Sequence, residues 1–175
     1  AAEALGSHAN KTHCGLIGDV GVISFNGNKI ITCGGGGIII TNSKDLATKS
    51  KHLSTTAKVN DPYELKHDHI AWNDRLPSIN AALGYSQLEI FETIIEKKRK
   101  LANRYHEHFS NKYPFSFIKE KGKDNSNYWL NTLILDPDVA FLREKIIKFL
   151  NASKIFARPC WKPLHLLPMF RENPR

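Results

Sequence analysis

The chain has 175 residues and carries 25 lysines and arginines against 17 aspartates and glutamates, a formal net charge of +8. Its apolar share of 41% is enough to build a packed core, and its length suits one domain or parts of two. No apolar run approaches the roughly 18–20 residues of a membrane span, because the longest, Cys33–Ile40, is only strand-sized. No basic segment followed by an apolar one marks a secretory signal, so the protein is read as having no membrane partner. Cys14, Cys33 and Cys160 form neither a disulfide framework nor a Cys-x-x-Cys metal site, and a reducing cytoplasm is the natural setting. The chain begins at Ala1 and its single methionine is Met169, so it is expected to be cut from a longer protein or matured.

Asp19–Phe25 reads as a buried strand, rich in β-branched residues, that hands over through the polar turn Asn26-Gly27-Asn28 to Lys29. Ile30–Cys33, four glycines from Gly34 to Gly37 and a second strand over Ile38–Thr41 follow. Asn42 and Ser43 offer an N-cap for a helix through about Leu53, and Asn60–Trp72, without a clear period, reads as loop. From Pro77 the pattern is helical, with Ile79, Leu83, Leu88, Phe91, Ile95, Ala102, Tyr105 and Phe109 on a drifting face. It fits one long helix or two joined near Glu92–Glu96. Lys97-Lys98-Arg99-Lys100 within it reads as a solvated face. Strands are expected at Phe115–Ile118 and Tyr128–Leu135 around a polar Lys119–Asn127 turn, then a helix capped by Asp138, a short strand at Ile155–Arg158 and a Pro-rich tail to Arg175. This order suits the end of an α/β domain (1–94) joined to a small α+β domain (95–175), with the boundary inside the long helix.

Lys29 is the sharpest chemical candidate. It sits at the end of a buried strand and before close-packed glycines, where desolvation would disfavour the ammonium and free a nucleophilic amine. Ser24, five residues upstream, could donate its hydroxyl to an anion or be bonded to backbone. The glycine run lacks a following Gly-Lys-Ser/Thr and precedes a strand, which disfavours a nucleotide P-loop and leaves close backbone packing as its role. His67 and His69 are two residues apart, and His106 and His108 repeat that spacing on a helix, where i and i+2 diverge; no metal site is expected. The basic charge suits an anionic small substrate, and no nucleic-acid motif accompanies it.

The stretch Gly18–Lys29, continuing through Gly37, resembles the signature of the DegT/StrS-type sugar aminotransferases, fold-type I enzymes dependent on pyridoxal 5′-phosphate. Three further segments agree in order: Ala1–Gly6; Trp72–Pro77 with Asn80–Gly84; and Arg158-Pro159 with Pro163-Leu164-His165 and Pro168. The resemblance covers nearly the whole chain and implies the C-terminal part of such an enzyme. It implies that Lys29 forms the internal Schiff base with the cofactor and then shuttles a proton as general acid and base. It further implies that Ser24 binds the cofactor phosphate and that Asn73 reaches the same phosphate from a partner subunit, hence a homodimer with a shared site. His165 matches a residue near the sugar-nucleotide pocket. The family pattern also places an aspartate, partner of the pyridine nitrogen, immediately before Ala1. Asn-Gly-Asn-Lys with Gly35, Tyr128–Asn131 and Arg158–Trp161 resembles the LegC-type enzymes, and GDP-perosamine synthases share the Gly-Asn-Lys turn. The implied reaction is amination of a nucleotide-linked 4-keto-6-deoxy sugar with glutamate as donor. The competing expectation is a truncated, non-catalytic remnant with exposed apolar surface.

Overall fold

The computed structural model describes residues 1–109 and 113–173; residues 174–175 of the expected tail lie outside them. The chain opens with a two-residue hairpin pairing β1 (His8–Ala9) with β2 (Thr12–His13), which sequence reasoning did not anticipate. Then β3 (Gly21–Ser24) pairs antiparallel with β4 (Gly37–Ile40), Gly21 opposite Ile40 and Ser24 opposite Gly37. β3 is shorter than the expected Asp19–Phe25, whereas β4 keeps the expected four residues and starts one residue before Ile38.

The 12 residues from Phe25 to Gly36 form a loop closed on its own stem. Phe25 donates to the Gly36 carbonyl at 2.9 Å, and Cys33 donates to the Phe25 carbonyl at 2.9 Å. Ile23, Phe25, Ile31 and Cys33 turn inward as one buried cluster, packed by Leu5, Ile40, Leu76, Phe91 and Ile94. Lys29 therefore rides on a loop whose two limbs are both buried. The glycines serve that closure. Gly36 has φ +80°, and a Cβ on it would lie 2.6 Å from Leu76 Cδ1.

Helix α1 (Lys44–Ser54) starts where expected, Ser43 Oγ accepting the Leu46 N–H at 3.3 Å. The helical stretch from Pro77 divides into α2 (Ser78–Glu89) and α3 (Phe91–Phe109), with the break at Ile90, just before the expected joint. Helix α3 runs unbroken through the expected 94/95 boundary. Helix α2 docks on the loop by side-chain amides. Gln87 exchanges hydrogen bonds with both backbone groups of Thr32, at 3.1 and 2.6 Å, and Asn80 Nδ2 donates to the Cys33 carbonyl at 2.5 Å.

Beyond α3, β5 (Phe115–Phe117) pairs antiparallel with β6 (Leu133–Leu135). The expected strand Tyr128–Leu135 thus keeps only its last three residues. Its start is held in another shape because Tyr128 takes φ +45°, outside the extended region. The last helix, α4 (Arg143–Ala152), is not capped by Asp138. A 3-10 segment over Pro137–Leu142 contains that residue and feeds the helix. No strand forms at Ile155–Arg158, where Phe156 is 85% exposed and no ladder partner lies alongside among the described residues. The basic run is also not uniformly solvated. Lys97 and Lys100 face solvent, but Lys98 Nζ donates to the Trp129 carbonyl at 3.0 Å, and Arg99 is pinned by Asn125, by the Ser126 carbonyl and by Glu120 at 2.6 Å. Burial pushes the Lys98 ammonium below its ordinary pKa.

The β1–β2 hairpin carries a pH dependence. His13 Nδ1 accepts the Gly15 N–H at 3.0 Å, which needs an unprotonated nitrogen. Burial, then the nearby His8, lowers the His13 pKa from 6.5. The unfolded chain thus takes up the proton first, so this stabilisation is complete above pH 6.5 and is lost as pH falls below it. Thermal unfolding between about pH 7.5 and about pH 5.5 is expected to show a larger loss of midpoint in the wild type than in His13→Asn. Equal losses would remove His13 as the source.

Candidate active site

Strand β3 delivers Lys29 through a turn in which the Lys29 N–H donates to the Asn26 carbonyl at 3.0 Å. The first residues of the chain lie against the end of that strand, Ser24 N–H donating to the Ala2 carbonyl at 3.1 Å. That contact sets Glu3 beside the lysine, with Lys29 Nζ 2.6 Å from Glu3 Oε1. The Lys29 side chain is 12% exposed while Glu3 is 46% exposed. On its other side the ammonium lies 4.5 Å from the centre of the Trp129 ring. Trp129 is anchored in turn, its indole N–H donating to the Asn28 carbonyl at 2.6 Å. Lys29 is thus enclosed as sequence reasoning expected, but not in apolar surroundings. A carboxylate and an indole face both attract a cation.

Asn127 fastens this arrangement. It is 3% exposed, and its Nδ2 donates to the carbonyls of Glu3 at 2.6 Å and Leu5 at 2.8 Å. Its Oδ1 accepts the Trp129 N–H at 2.9 Å. One amide therefore joins the segment carrying Glu3 to the segment carrying Trp129.

Ser24 is half-buried, and its Oγ accepts the Asn26 N–H at 3.3 Å, which leaves the hydroxyl proton free to donate. Lys29 and Ser24 are brought to the same end of β3. Asn73 and His165 are not joined to them. Asn73 is exposed and bridges Thr55 at the end of α1, and His165 is exposed in a 3-10 turn over Leu164–Leu166. Glu3 and Trp129 escaped assignment by sequence, although both stand inside the quoted motifs. Only the fold brings residues 3, 29 and 129 together.

The histidines that spacing paired behave differently. His67 Nδ1 turns to the Thr56 carbonyl at 2.6 Å, while His69 Nδ1 and His52 Nε2 meet on Asp68 Oδ1 at 2.9 and 2.6 Å. Ligand atoms of His52, Asp68 and His69 lie within 4.8 Å of one another, a gathering that spacing alone did not place. Hydrogen bonds from His69, then His52, hold the Asp68 carboxyl at about 2. The two imidazole contacts on one oxygen describe a hydrogen-bonded cluster that ties the loop before Asn73 to α1.

The model of the DegT/DnrJ/EryC1/StrS aminotransferase family matches residues 1–175. The chain belongs to that family. EpsN of Bacillus subtilis, provisionally named a pyridoxal phosphate-dependent aminotransferase, is 37% identical over 170 residues, 97% of this chain and 43% of EpsN. A GDP-perosamine synthase of Vibrio cholerae is 36% identical over 171 residues, 98% of this chain and 46% of the synthase. Among solved structures, Helicobacter pylori PseC, an aminotransferase involved in the biosynthesis of pseudoaminic acid, superposes with a TM-score of 0.89 at 26% identity. That match covers 99% of this chain and 47% of PseC. The family members thus share this fold, and the chain spans less than half the length of the relatives it matches.

Proposed function

We propose that this chain is the lysine-bearing, C-terminal part of a pyridoxal phosphate-dependent aminotransferase that turns a nucleotide-linked 4-keto-6-deoxy sugar into its 4-amino sugar, with glutamate as donor. The observation that carries the reading is Lys29: an amine on a closed loop at a strand end, 12% exposed, held between Glu3 and Trp129. The residues fit the cofactor chemically. Lys29 offers the amine to which the aldehyde joins, and Ser24 offers a free hydroxyl proton for the phosphate at the same strand end. When bound, pyridoxal phosphate supplies an electron-accepting ring that makes a carbon-bound proton of the amino donor removable.

The chain's own residues supply the rest. Lys29 Nζ takes up and returns that proton as general base and acid. Glu3 orients the amine, and the face of Trp129 keeps water from one side of it. Asn73, exposed and bridged to Thr55 at the end of α1, is assigned to the phosphate site of a second subunit in a homodimer. His165 is assigned to the sugar-nucleotide pocket. Residues 1–94 belong to the cofactor-binding domain and 95–175 to the small domain. The Asn-Gly-Asn-Lys turn with Gly35 and the likeness to a GDP-perosamine synthase support a cytoplasmic LegC-like or perosamine-forming enzyme of surface-sugar synthesis.

Reductive trapping tests the reading. The chain is incubated with pyridoxal phosphate, treated with borohydride and mapped by peptide mass spectrometry. A stoichiometric adduct on Lys29 alone is the expected result. Labels scattered over exposed lysines such as Lys97 and Lys100 would overturn it for this chain.

A further inference from the structure

The loop ahead of Asn73 carries a second gathering of chemically capable side chains, which the chemistry at Lys29 does not use. Spacing along the chain pairs His67 with His69. The fold instead turns His67 to the Thr56 carbonyl at 2.6 Å and brings in His52 of α1. His52 Nε2 lies 2.6 Å and His69 Nδ1 2.9 Å from the same oxygen, Asp68 Oδ1. All three ligand atoms fall within 4.8 Å of one another.

Main-chain hydrogen bonds hold the two segments together. Asp68 N–H donates to the Ala57 carbonyl at 3.2 Å, and Ala57 N–H donates to the His52 carbonyl at 2.9 Å. Trp72 N–H donates to the Leu53 carbonyl at 3.0 Å, and Ala57, between the segments, is fully buried. Among the described residues no lysine or arginine pairs with the Asp68 carboxylate. Lys66, two residues before it, is engaged by Glu64 at 3.0 Å and Asp61 at 3.6 Å. The side chains stay open to solvent, at 32% for His52, 46% for Asp68 and 61% for His69, so a hydrated ion can reach them.

Two imidazoles and one carboxylate are donors suited to a borderline transition-metal ion, and a water completes a tetrahedral zinc site with three protein ligands. Magnesium and calcium prefer oxygen ligands throughout. Zinc bonds of about 2.0–2.2 Å set tetrahedral ligand atoms about 3.4 Å apart. The shortest contact must then open by about 0.8 Å and the widest close by at most about 1.4 Å. Rotations of exposed side chains cover such distances.

We propose that His52, Asp68 and His69 form a zinc-binding site that pins the loop ahead of Asn73 to α1. Each imidazole presents a lone pair at the nitrogen now facing Asp68 and carries its proton on the other ring nitrogen. The site does not depend on the transamination reading of Lys29.

Calorimetric titration of the chain with zinc chloride tests it, alongside titration with cobalt(II) followed by absorption. Saturable binding of one Zn²⁺ per chain is expected. Cobalt should give the visible bands of a site ligated by nitrogen and oxygen, without the near-ultraviolet charge-transfer band that a cysteine ligand adds. Asp68→Asn keeps the shape of the carboxylate but not its charge. It, His52→Gln and His69→Gln should each weaken zinc binding at least about 100-fold, since losing a group that only orients a ligand already costs roughly 10- to 100-fold. His106→Gln combined with His108→Gln should bind zinc as the wild type does. Zinc should raise the thermal midpoint of the wild type and leave that of Asp68→Asn unmoved. Circular dichroism of the zinc-free chains checks folding, and His69→Gln, which alters the most exposed of the three side chains, decides if another variant is unfolded. Four results would overturn the assignment: no saturable zinc binding, unchanged affinity in Asp68→Asn and His69→Gln, a cysteine charge-transfer band with cobalt, or binding lost with His106 and His108. Displacement of zinc by an equal concentration of magnesium would equally overturn it, because imidazole ligation cannot favour magnesium.

Discussion

Lys29→Ala is expected to abolish covalent capture of pyridoxal phosphate by this chain, and to lower turnover of the intact enzyme by roughly 10²- to 10⁴-fold through loss of its acid–base group. Two variants separate chemistry from shape. Lys29→Arg keeps the positive charge opposite Glu3 and over Trp129, so it preserves the contacts seen at 2.6 and 4.5 Å. A guanidinium does not give up its proton in a protein, so Arg should be as inactive as Ala. If the loss in Lys29→Ala is chemical, a small primary amine added to the solution should restore part of the proton transfer, since truncation leaves room where the side chain lay. Recovery should rise with amine concentration and with pH, because only the uncharged amine can accept the proton. Activity retained in Lys29→Arg would remove Lys29 from the reaction.

How far this site could be read from the chain depends on what kind of contact builds it. The strand ending at Ser24, the polar turn and Lys29 are contiguous, and a local pattern suffices to place them: β-branched residues, then Asn26-Gly27-Asn28, then the lysine. Ser43 as an N-cap and the onset of helix near Pro77 were legible for the same reason. Glu3 and Trp129 were not, because their meeting with Lys29 depends on contacts 26 and 101 residues apart in sequence. The strand expected at Tyr128 failed for a related reason. Tyr and Trp favour extended backbone on average, but side-chain bonds from Ser126 and Asn127 to the N–H groups of Tyr128 and Trp129 bind this stretch into a turn. Half of the basic run was misread because charge alone does not reveal which carbonyls a later loop will bring to Lys98 and Arg99. The motifs spread along the chain identified its family, but they did not single out Glu3 or Trp129, which only the fold brings to Lys29.

Asn127→Asp is expected to damage the site more than Asn127→Ala, although it is the smaller change in shape. The amide of Asn127 gives both of its donors to the carbonyls of Glu3 and Leu5, at 2.6 and 2.8 Å, in a position 3% exposed. Alanine removes the donors and leaves those carbonyls, with the Trp129 N–H, short of partners, a loss of roughly 3 kcal/mol or more given about 1–3 kcal/mol per orphaned group. Aspartate keeps an acceptor for Trp129 but sets carboxylate oxygens against two carbonyl oxygens, so a contact of donor and acceptor becomes one of like partial charges. Urea unfolding monitored by far-UV circular dichroism should order the midpoints as wild type, then Ala, then Asp. Acid should narrow the gap, because the substituted carboxyl, once protonated, regains one donor. The site should report the same order. With the Glu3 segment and Trp129 no longer joined, reductive capture of pyridoxal phosphate at Lys29 should slow in both variants at temperatures where they remain folded. Equal stability of Asn127→Asp and wild type at neutral pH would mean that the amide does not hold these carbonyls. Slower capture in variants of unchanged stability would place the effect of Asn127 on the orientation of Lys29 rather than on the fold.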